Sequence, residues 1–363
     1  MDREIKVVQY GTGKMSKYIM RYVYEKGAKI VGALDINTDL IGKDIGKIIE
    51  SEDKGIKIEK IENFEKIIKE KKPDIVIITT TSLLEEIKTP LLICAKNGIN
   101  AITTSEEAFY PLNSNPKLTE KIDKLAKKNN CTITGSGYQD IYWGQLISSL
   151  AGSTHKIKKI KGSSSYNVED YGLALAKAHG AGLTLEEFDK KIASVDNITD
   201  EKRQELINNG KYQPSYMWNV NGWISKKLGL KVISQTQKTI PTIYNEDIKS
   251  NTLGTIVKAG DATGMSAIVT TKTKEGITIE SECIGKIYAK EEFDKNKWTI
   301  YGEPDTTLII NRPNTVELTC ASIVNRIPDV INAKPGYIPT EEIGELKFKI
   351  KDLNKYIKNK EIK

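Results

Sequence analysis

Two adjacent carboxylates, Glu106 and Glu107, stand directly after Ala101-Ile102-Thr103-Thr104-Ser105, a run that reads as the end of a strand. Most other acids in the chain alternate with lysines, so a pair at a strand mouth stands apart. A partly desolvated carboxylate there would have a raised pKa and could act as a general base or stabilise a developing cation. The same pair could instead cap a short helix through its dipole, and residue types leave both roles open. A second chemical feature is Gly11-Thr12-Gly13, which follows the apolar strand Val7-Val8-Gln9-Tyr10. In a dinucleotide-binding turn the first glycine permits the bend and the second lets backbone approach a pyrophosphate. A small third residue, here Ser16, lets helix and strand pack closely. The helix start spanning Thr12, Lys14 and Met15 then presents unpaired N–H groups to an anion.

Asp35 closes the next strand, residues 29–35, at a spacing from Gly11 that suits an acid hydrogen-bonding the adenosine ribose. A strand-to-turn aspartate is the alternative reading. A carboxylate here repels a 2′-phosphate, and no arginine stands beside neutral Asn37 and Thr38, so NAD is favoured as cofactor, with NADP possible.

These residues need a scaffold that holds strand ends in a row. Further strands are expected at residues 56–59, 73–80, 101–104 and 131–134, with helices at 17–26, 63–71, 83–97 and 117–128. The strand at 73–80 has a continuous apolar centre, the mark of a parallel strand buried on both faces. It runs into Thr79, Thr80, Thr81 and Ser82, which would face the cofactor crevice, or in the case of Ser82 cap the following helix. The fold class is therefore α/β, with an N-terminal Rossmann-type doubly wound parallel sheet of about six strands. After Tyr138 the pattern changes to longer alternating strands at 157–166, 231–240, 266–273, 276–288 and 298–310, with a helical stretch at 185–218. These predict an inserted α+β domain with a mixed open sheet. The expected division is a nucleotide-binding domain at 1–134, a substrate-binding domain at 135–314, and a segment at 315–363 that packs back on the first.

Composition narrows the function classes. The chain has 363 residues, enough for two cores, with 28% charged residues and a net charge of +7. Lysine and glutamate interleave along solvated helix faces, so no nucleic-acid groove is expected. Only residues 347–363 concentrate lysine, as a solubilising end. Neither a signal-peptide pattern nor a membrane-length apolar run is visible, and a cytoplasmic protein that does not bind membranes is expected. Four isolated cysteines in apolar contexts read as buried thiols, and two histidines without ligand spacing predict no metal site.

The substrate wall is expected from polar-aromatic segments after strand ends. Tyr138-Gln139-Asp140-Ile141-Tyr142-Trp143 is one, and Ser165-Tyr166-Asn167 followed by Tyr171 is another. Rings with polar tips suit a small amphipathic ligand, although some of them must be core. His179 is either a ligand contact or an ordinary helix-end histidine.

The runs VVQYGTGKMSKYIMRYVYEKGAKIVGALD, NAITTSEEAFYP, TITGSGYQDIYWG, KIKGSSSYNVEDYG, ALAKAHGAGL, PSYMWNVNGW and VNRIPDVINAKPG resemble the 2,4-diaminopentanoate dehydrogenases and their relatives, the native amine dehydrogenases. The architecture is more distantly similar to dihydrodipicolinate reductase. The resemblance spans nearly the whole chain. It implies NAD(P)-dependent oxidative deamination of the C4 amine of 2,4-diaminopentanoate, in ornithine degradation, with ammonia released. It also implies a homodimer formed through the open sheet of the second domain. By the same resemblance the catalytic glutamate is Glu106, on its spacing to Trp143, with Glu107 as the fallback. Trp143, Tyr166 and Tyr171 would line the substrate pocket, with Tyr138, Gln139, Asn167 and His179 as further contacts. No arginine in the segments that carry these contacts offers a bidentate clamp for a substrate carboxylate. Rival expectations are a same-fold enzyme for simpler amines or 4-oxo acids, and a non-catalytic NAD-binding sensor.

Overall fold

Continuous apolar runs dictate the first layer. Ile5–Tyr10 (β1), Ala28–Asp35 (β2), Ile58–Lys60 (β3), Ile75–Ile78 (β4), Asn100–Thr103 (β5) and Thr132–Gly135 (β6) are strands in the computed structural model, which describes residues 4–358. They pair in parallel, and all four residues of β4 are buried, as a strand covered on both faces requires. A seventh strand, Gly336–Tyr337, joins β6, so the order is Gly336–Tyr337, β6, β5, β4, β1, β2, β3. That extra strand is only two residues long, too short for any periodicity, and exists because Gly336 and Ile338 donate to the carbonyls of Cys131 and Ile133. The order reverses at β1, which makes its C-terminal end the switch point where open parallel sheets bind ligands.

The helix Lys14–Glu25 buries Ser16, Ile19, Met20 and Val23, spaced to form one face. Ile19, Met20 and Val23 share a core with Ile323, Val324, Ile327 and Val330 of the helix Thr315–Asn332. Residues 83–97 do not form one helix: the helix is Lys88–Lys96, preceded by turns. The Leu84 amide is committed to the Glu107 carboxylate instead of a helical turn. Pro90 then falls in the first turn, where its missing N–H costs no intrahelical bond. The lysine-rich end is not wholly a solvated tail. Lys349 is buried and pairs with Asp329 at 2.9 Å, and Leu353 is fully buried. Residues 359–363 of that segment lie outside the described residues.

The described residues up to Gln145, with those from Asn314 onward, make one compact unit, and Leu146–Pro313 make a second. Residues 135–145, read from sequence with the second segment, lie in the first unit. In the second unit the strands are Lys156–Asn167 (β7), Val232–Ile243 (β8), Ile248–Ser250 (β9), Thr255–Val257 (β10), Ala262–Thr273 (β11), Thr278–Lys286 (β12), Lys295–Glu303 (β13) and Thr306–Asn311 (β14). The six-stranded sheet has the order β14, β13, β7, β12, β11, β8, with β7 and β12 parallel and the other pairs antiparallel; β9 and β10 form a separate hairpin. It is a mixed sheet. The expected single strand at 298–310 is a hairpin, because the Asp305 carboxylate accepts the Gly302 amide and turns the chain. The expected helix at 185–218 is several pieces, since Thr184 and Thr199 each cap a new helix start and Gly210 takes a positive φ. The helix Tyr216–Lys227 lies on the sheet, where its buried Asn221 donates to Thr271 Oγ1 (3.1 Å) and accepts from Ser281 (2.6 Å).

All four cysteines are buried, and none of them forms a disulfide. Among the described residues no helix is long and apolar enough to cross a membrane, and no three His, Cys, Asp or Glu side chains gather as a metal site.

Candidate active site

At the end of β1 the chain bends at Gly11, with φ +91°, and a Cβ there would lie 2.6 Å from the Thr79 carbonyl oxygen. Only glycine fits this approach. At Gly13 the opposite holds: a Cβ would meet nothing within 4 Å, so open space lies over the backbone at the start of the helix Lys14–Glu25. Gly13 is the N-cap and makes no side-chain capping bond, and no acidic side chain stands in the first turn. The exposed Lys14 and half-buried Met15 follow it. An open, uncapped helix start suits a phosphate group. Ser16 is buried, and its hydroxyl donates back to the Gly13 carbonyl at 2.7 Å, so the third position packs as a small residue.

Asp35 sits beside this turn. Its Oδ2 accepts from the Thr12 amide at 2.5 Å and the Thr12 hydroxyl at 2.7 Å, and its Oδ1 accepts from the Asn37 amide at 2.8 Å. Desolvation pushes the carboxyl pKa up, but these hydrogen bonds outweigh it and hold the pKa below the ordinary aspartate value. Asp35 is therefore a fixed anion. A residue that sequence reasoning missed braces the turn from beneath. Gln9, fully buried in β1, donates to the Gly11 carbonyl (2.9 Å) and Thr79 Oγ1 (2.8 Å). A polar residue in an apolar parallel strand was the signal. Thr79 also donates to the Gly11 carbonyl, so its hydroxyl is used inside the turn, whereas Thr80 and Thr81 are exposed.

The acids after β5 divide sharply. Glu107 is buried, and its carboxylate accepts from the Leu84 amide (2.7 Å) and the Ser114 hydroxyl (2.6 Å). Glu106 is half-buried at the start of the short helix Glu107–Phe109. Burial raises its pKa above the ordinary glutamate value, and a hydrogen bond with the Ser82 side chain opposes the rise. Ser82 thus meets Glu106 and does not cap a helix; the helix N-cap is Ile87, without a side-chain bond.

Beyond β6 the chain forms a π-helix, Asp140–Gln145, carrying Trp143. Tyr138 stacks on Tyr142 at 4.4 Å and stands edge-on to Trp143 at 5.6 Å. Gln139 is buried and donates to the Ser136 carbonyl, a loop-bracing role. Asp140 and Arg326 are fully buried and paired, Nε to Oδ2 at 2.9 Å and Nη2 to Oδ1 at 3.2 Å. Ser136 and Gln145 each donate to Asp140 at 2.8 Å. Arg326 had one signal in the sequence, an arginine set in the largely apolar stretch 323–330, with Asp329 three residues on.

In the second unit, Tyr166 ends β7 with its hydroxyl 2.6 Å from His179 Nε2, and Tyr171 stands edge-on to the Tyr166 ring at 5.7 Å. His179 is a helix-end residue and also a partner of Tyr166. Asn167 accepts the Glu169 amide, capping a short helix.

A doubly wound parallel sheet with this turn is the architecture of a dinucleotide-binding protein. Residues 142–359 match the 2,4-diaminopentanoate dehydrogenase C-terminal domain, and residues 5–133 match the dihydrodipicolinate reductase N-terminus. The chain is similar to 2,4-diaminopentanoate dehydrogenase of Acetoanaerobium sticklandii, with 24% identity over 98% of this chain and 99% of that one. It is also similar to the solved amine dehydrogenase from Mycobacterium smegmatis, with 34% identity, a TM-score of 0.82, and 96% and 99% of the two chains covered. A myo-inositol dehydrogenase from Lactobacillus casei, solved with NAD(H) and myo-inositol, shares the fold at 12% identity and a TM-score of 0.58, with 94% and 90% covered. This chain belongs to the 2,4-diaminopentanoate dehydrogenase family. It is an oxidoreductase of the NAD(P)-dependent amine dehydrogenase class.

Proposed function

We propose that the protein oxidatively deaminates the C4 amine of 2,4-diaminopentanoate to 2-amino-4-oxopentanoate and ammonia, reversibly, with Glu106 as the catalytic carboxylate. The observation that carries this reading is the division of labour at the end of β5. Burial raises the pKa of both acids, but Glu107 has both oxygens occupied by Leu84 and Ser114, whereas half-buried Glu106 meets the Ser82 side chain among the described residues. The helix start at Gly13 to Met15 would hold the cofactor pyrophosphate, with Gly11 and Thr12 shaping the turn. Asp35 would take the ribose hydroxyls and favour NAD, and Thr80, Thr81 and Ser82 would line the same crevice. The bound nicotinamide supplies the hydride acceptor. Glu106 stabilises the iminium left on the substrate, deprotonates the attacking water, and returns a proton to nitrogen as ammonia leaves. Trp143, Tyr166, Tyr171 and His179 are assigned to substrate binding, and Tyr138 shapes the ring cluster around Trp143. The place in ornithine degradation and the homodimer belong to the same reading.

A second reading is an amine dehydrogenase for simpler amines or 4-oxo acids, since the Mycobacterium smegmatis structure that matches at 34% identity is named as an amine dehydrogenase without a diamino acid. NADH formation from 2,4-diaminopentanoate, run beside 2-aminopentane and 4-aminopentanoate, decides between them. A strong preference for the diamino acid supports the first; comparable rates select the second.

A further inference from the structure

We propose that the stretch 344–349 is a strap that sets the aim of Trp143, with Gln145 as the positioning residue between them. The inference rests on the assignment of Trp143 to substrate binding above. Trp143 lies inside the π-helix Asp140–Gln145. In an α-helix, residues five apart point about 140° away from each other, whereas the i→i+5 spacing of a π-turn brings them toward one side. Gln145 uses that spacing: its amide donates to Asp140 Oδ1 at 2.8 Å and ties the two ends of the turn together. A π-turn is the rarer state of a helix, so the contacts that hold it decide where the side chains inside it point.

The strap supplies such contacts from outside the turn. The Gln145 amide also donates to the Gly344 carbonyl at 3.3 Å, and its Oε1 accepts the Leu346 amide at 3.0 Å. One side chain thus bonds the strap backbone in both directions. Gly344 ends the helix Thr340–Ile343 with φ +96°, a conformation that suits glycine and turns the chain out of the helix. Lys349 anchors the other end. Its buried ammonium pairs with Asp329 at 2.9 Å, its amide donates to Asn325 Oδ1 at 3.2 Å, and its carbonyl accepts from Lys26. Asp329 in turn stands 3.7 Å from Arg326, which holds Asp140. The strap therefore reaches both ends of the π-helix, Gln145 directly and Asp140 through a chain of charged pairs. A shift of the order of 1 Å in a side chain that positions substrate can cost about 100-fold in rate, so a strap remote from the reacting carboxylate can govern turnover.

The test is a double-variant cycle. KM and kcat for 2,4-diaminopentanoate and 2-aminopentane, with the Kd of NADH by fluorescence titration, are measured in the native enzyme, Gln145→Met, Trp143→Leu and the double variant. Gln145→Met keeps the length of the side chain and removes its polar atoms. It should raise KM for the amine about 10-fold and leave NADH affinity within about 2-fold, a split that general loss of structure would not give. In the double variant KM should be no worse than in Trp143→Leu alone, because residues that act as a unit are not additive. Lys349→Met, at the far end of the strap, should raise KM in the same direction, and it takes the place of Gln145→Met in the cycle if that variant does not fold. An unchanged KM in either strap variant, or effects that simply multiply with that of Trp143→Leu, overturns the strap and leaves Trp143 in the substrate wall. A native KM in Trp143→Leu overturns that assignment and the strap with it. Turnover of neither amine overturns the amine-oxidising reading and this inference together.

Discussion

The carboxylates of Glu106 and Glu107 follow one another in the chain and end with different hydrogen-bond partners, although burial raises the pKa of both. Glu107 is buried under the amide of Leu84 and the hydroxyl of Ser114, at 2.7 and 2.6 Å, and its own amide donates to the Ser82 carbonyl. Glu106, half-buried, has the Ser82 side chain as its hydrogen-bond partner. Glu106→Gln should therefore lower kcat by about 100-fold or more, the scale of a lost general acid-base group, while NAD affinity is retained. Glu107→Gln should act on stability, by about 1–3 kcal/mol, because its partners are left imperfectly bonded in a buried place. Steady-state kinetics with thermal melts separate the two. Normal turnover in Glu106→Gln would remove the carboxylate from the mechanism.

The pH profile follows from the same side chain. Its pKa is raised, chiefly by burial, so the basic form appears only above the ordinary glutamate range. Deamination should then rise with pH through an inflection above that range and fall away as pH drops through it. The profile of kcat on a saturating amine should show this acidic limb, and the limb should vanish in the residual activity of Glu106→Gln.

Asp35 is a fixed anion bonded to both donors of Thr12. On the proposed reading, Asp35→Ala removes the group that repels a 2′-phosphate and the partner of a ribose hydroxyl. KM for NAD should rise about 10-fold and KM for NADP should fall. An unchanged NAD to NADP ratio would show that Asp35 braces the turn and does not select the cofactor.

Arg326→Met should be among the most damaging substitutions in the first unit. It leaves Asp140 charged, buried and without its cation, a change that costs about 3–5 kcal/mol. Asp140 opens the π-helix that carries Trp143, so tryptophan emission should shift even where the variant remains folded. The double variant Asp140→Asn with Arg326→Met should be less destabilised than the sum of the single changes.

What could be read from the chain alone were the local patterns. The apolar run at Ile75–Ile78, the glycines of the turn, the acid at the end of β2 and the paired glutamates after β5 each have a signature written over a few neighbouring residues. Periodicity and turn chemistry are short-range properties, so the parallel sheet and its switch point were legible. Tertiary structure alone decided how chemically identical neighbours part company. Glu106 and Glu107 differ because residues 82, 84 and 114 come back to them, and Gln139 and Asp140 prove to be braces through Ser136 and through Arg326, 186 positions away. The same holds for Tyr166, whose hydroxyl meets a histidine at the end of a following helix. Burial and hydrogen-bond partnership set a side chain's protonation and direction. Both are properties of what the fold gathers around it, and no local pattern encodes them.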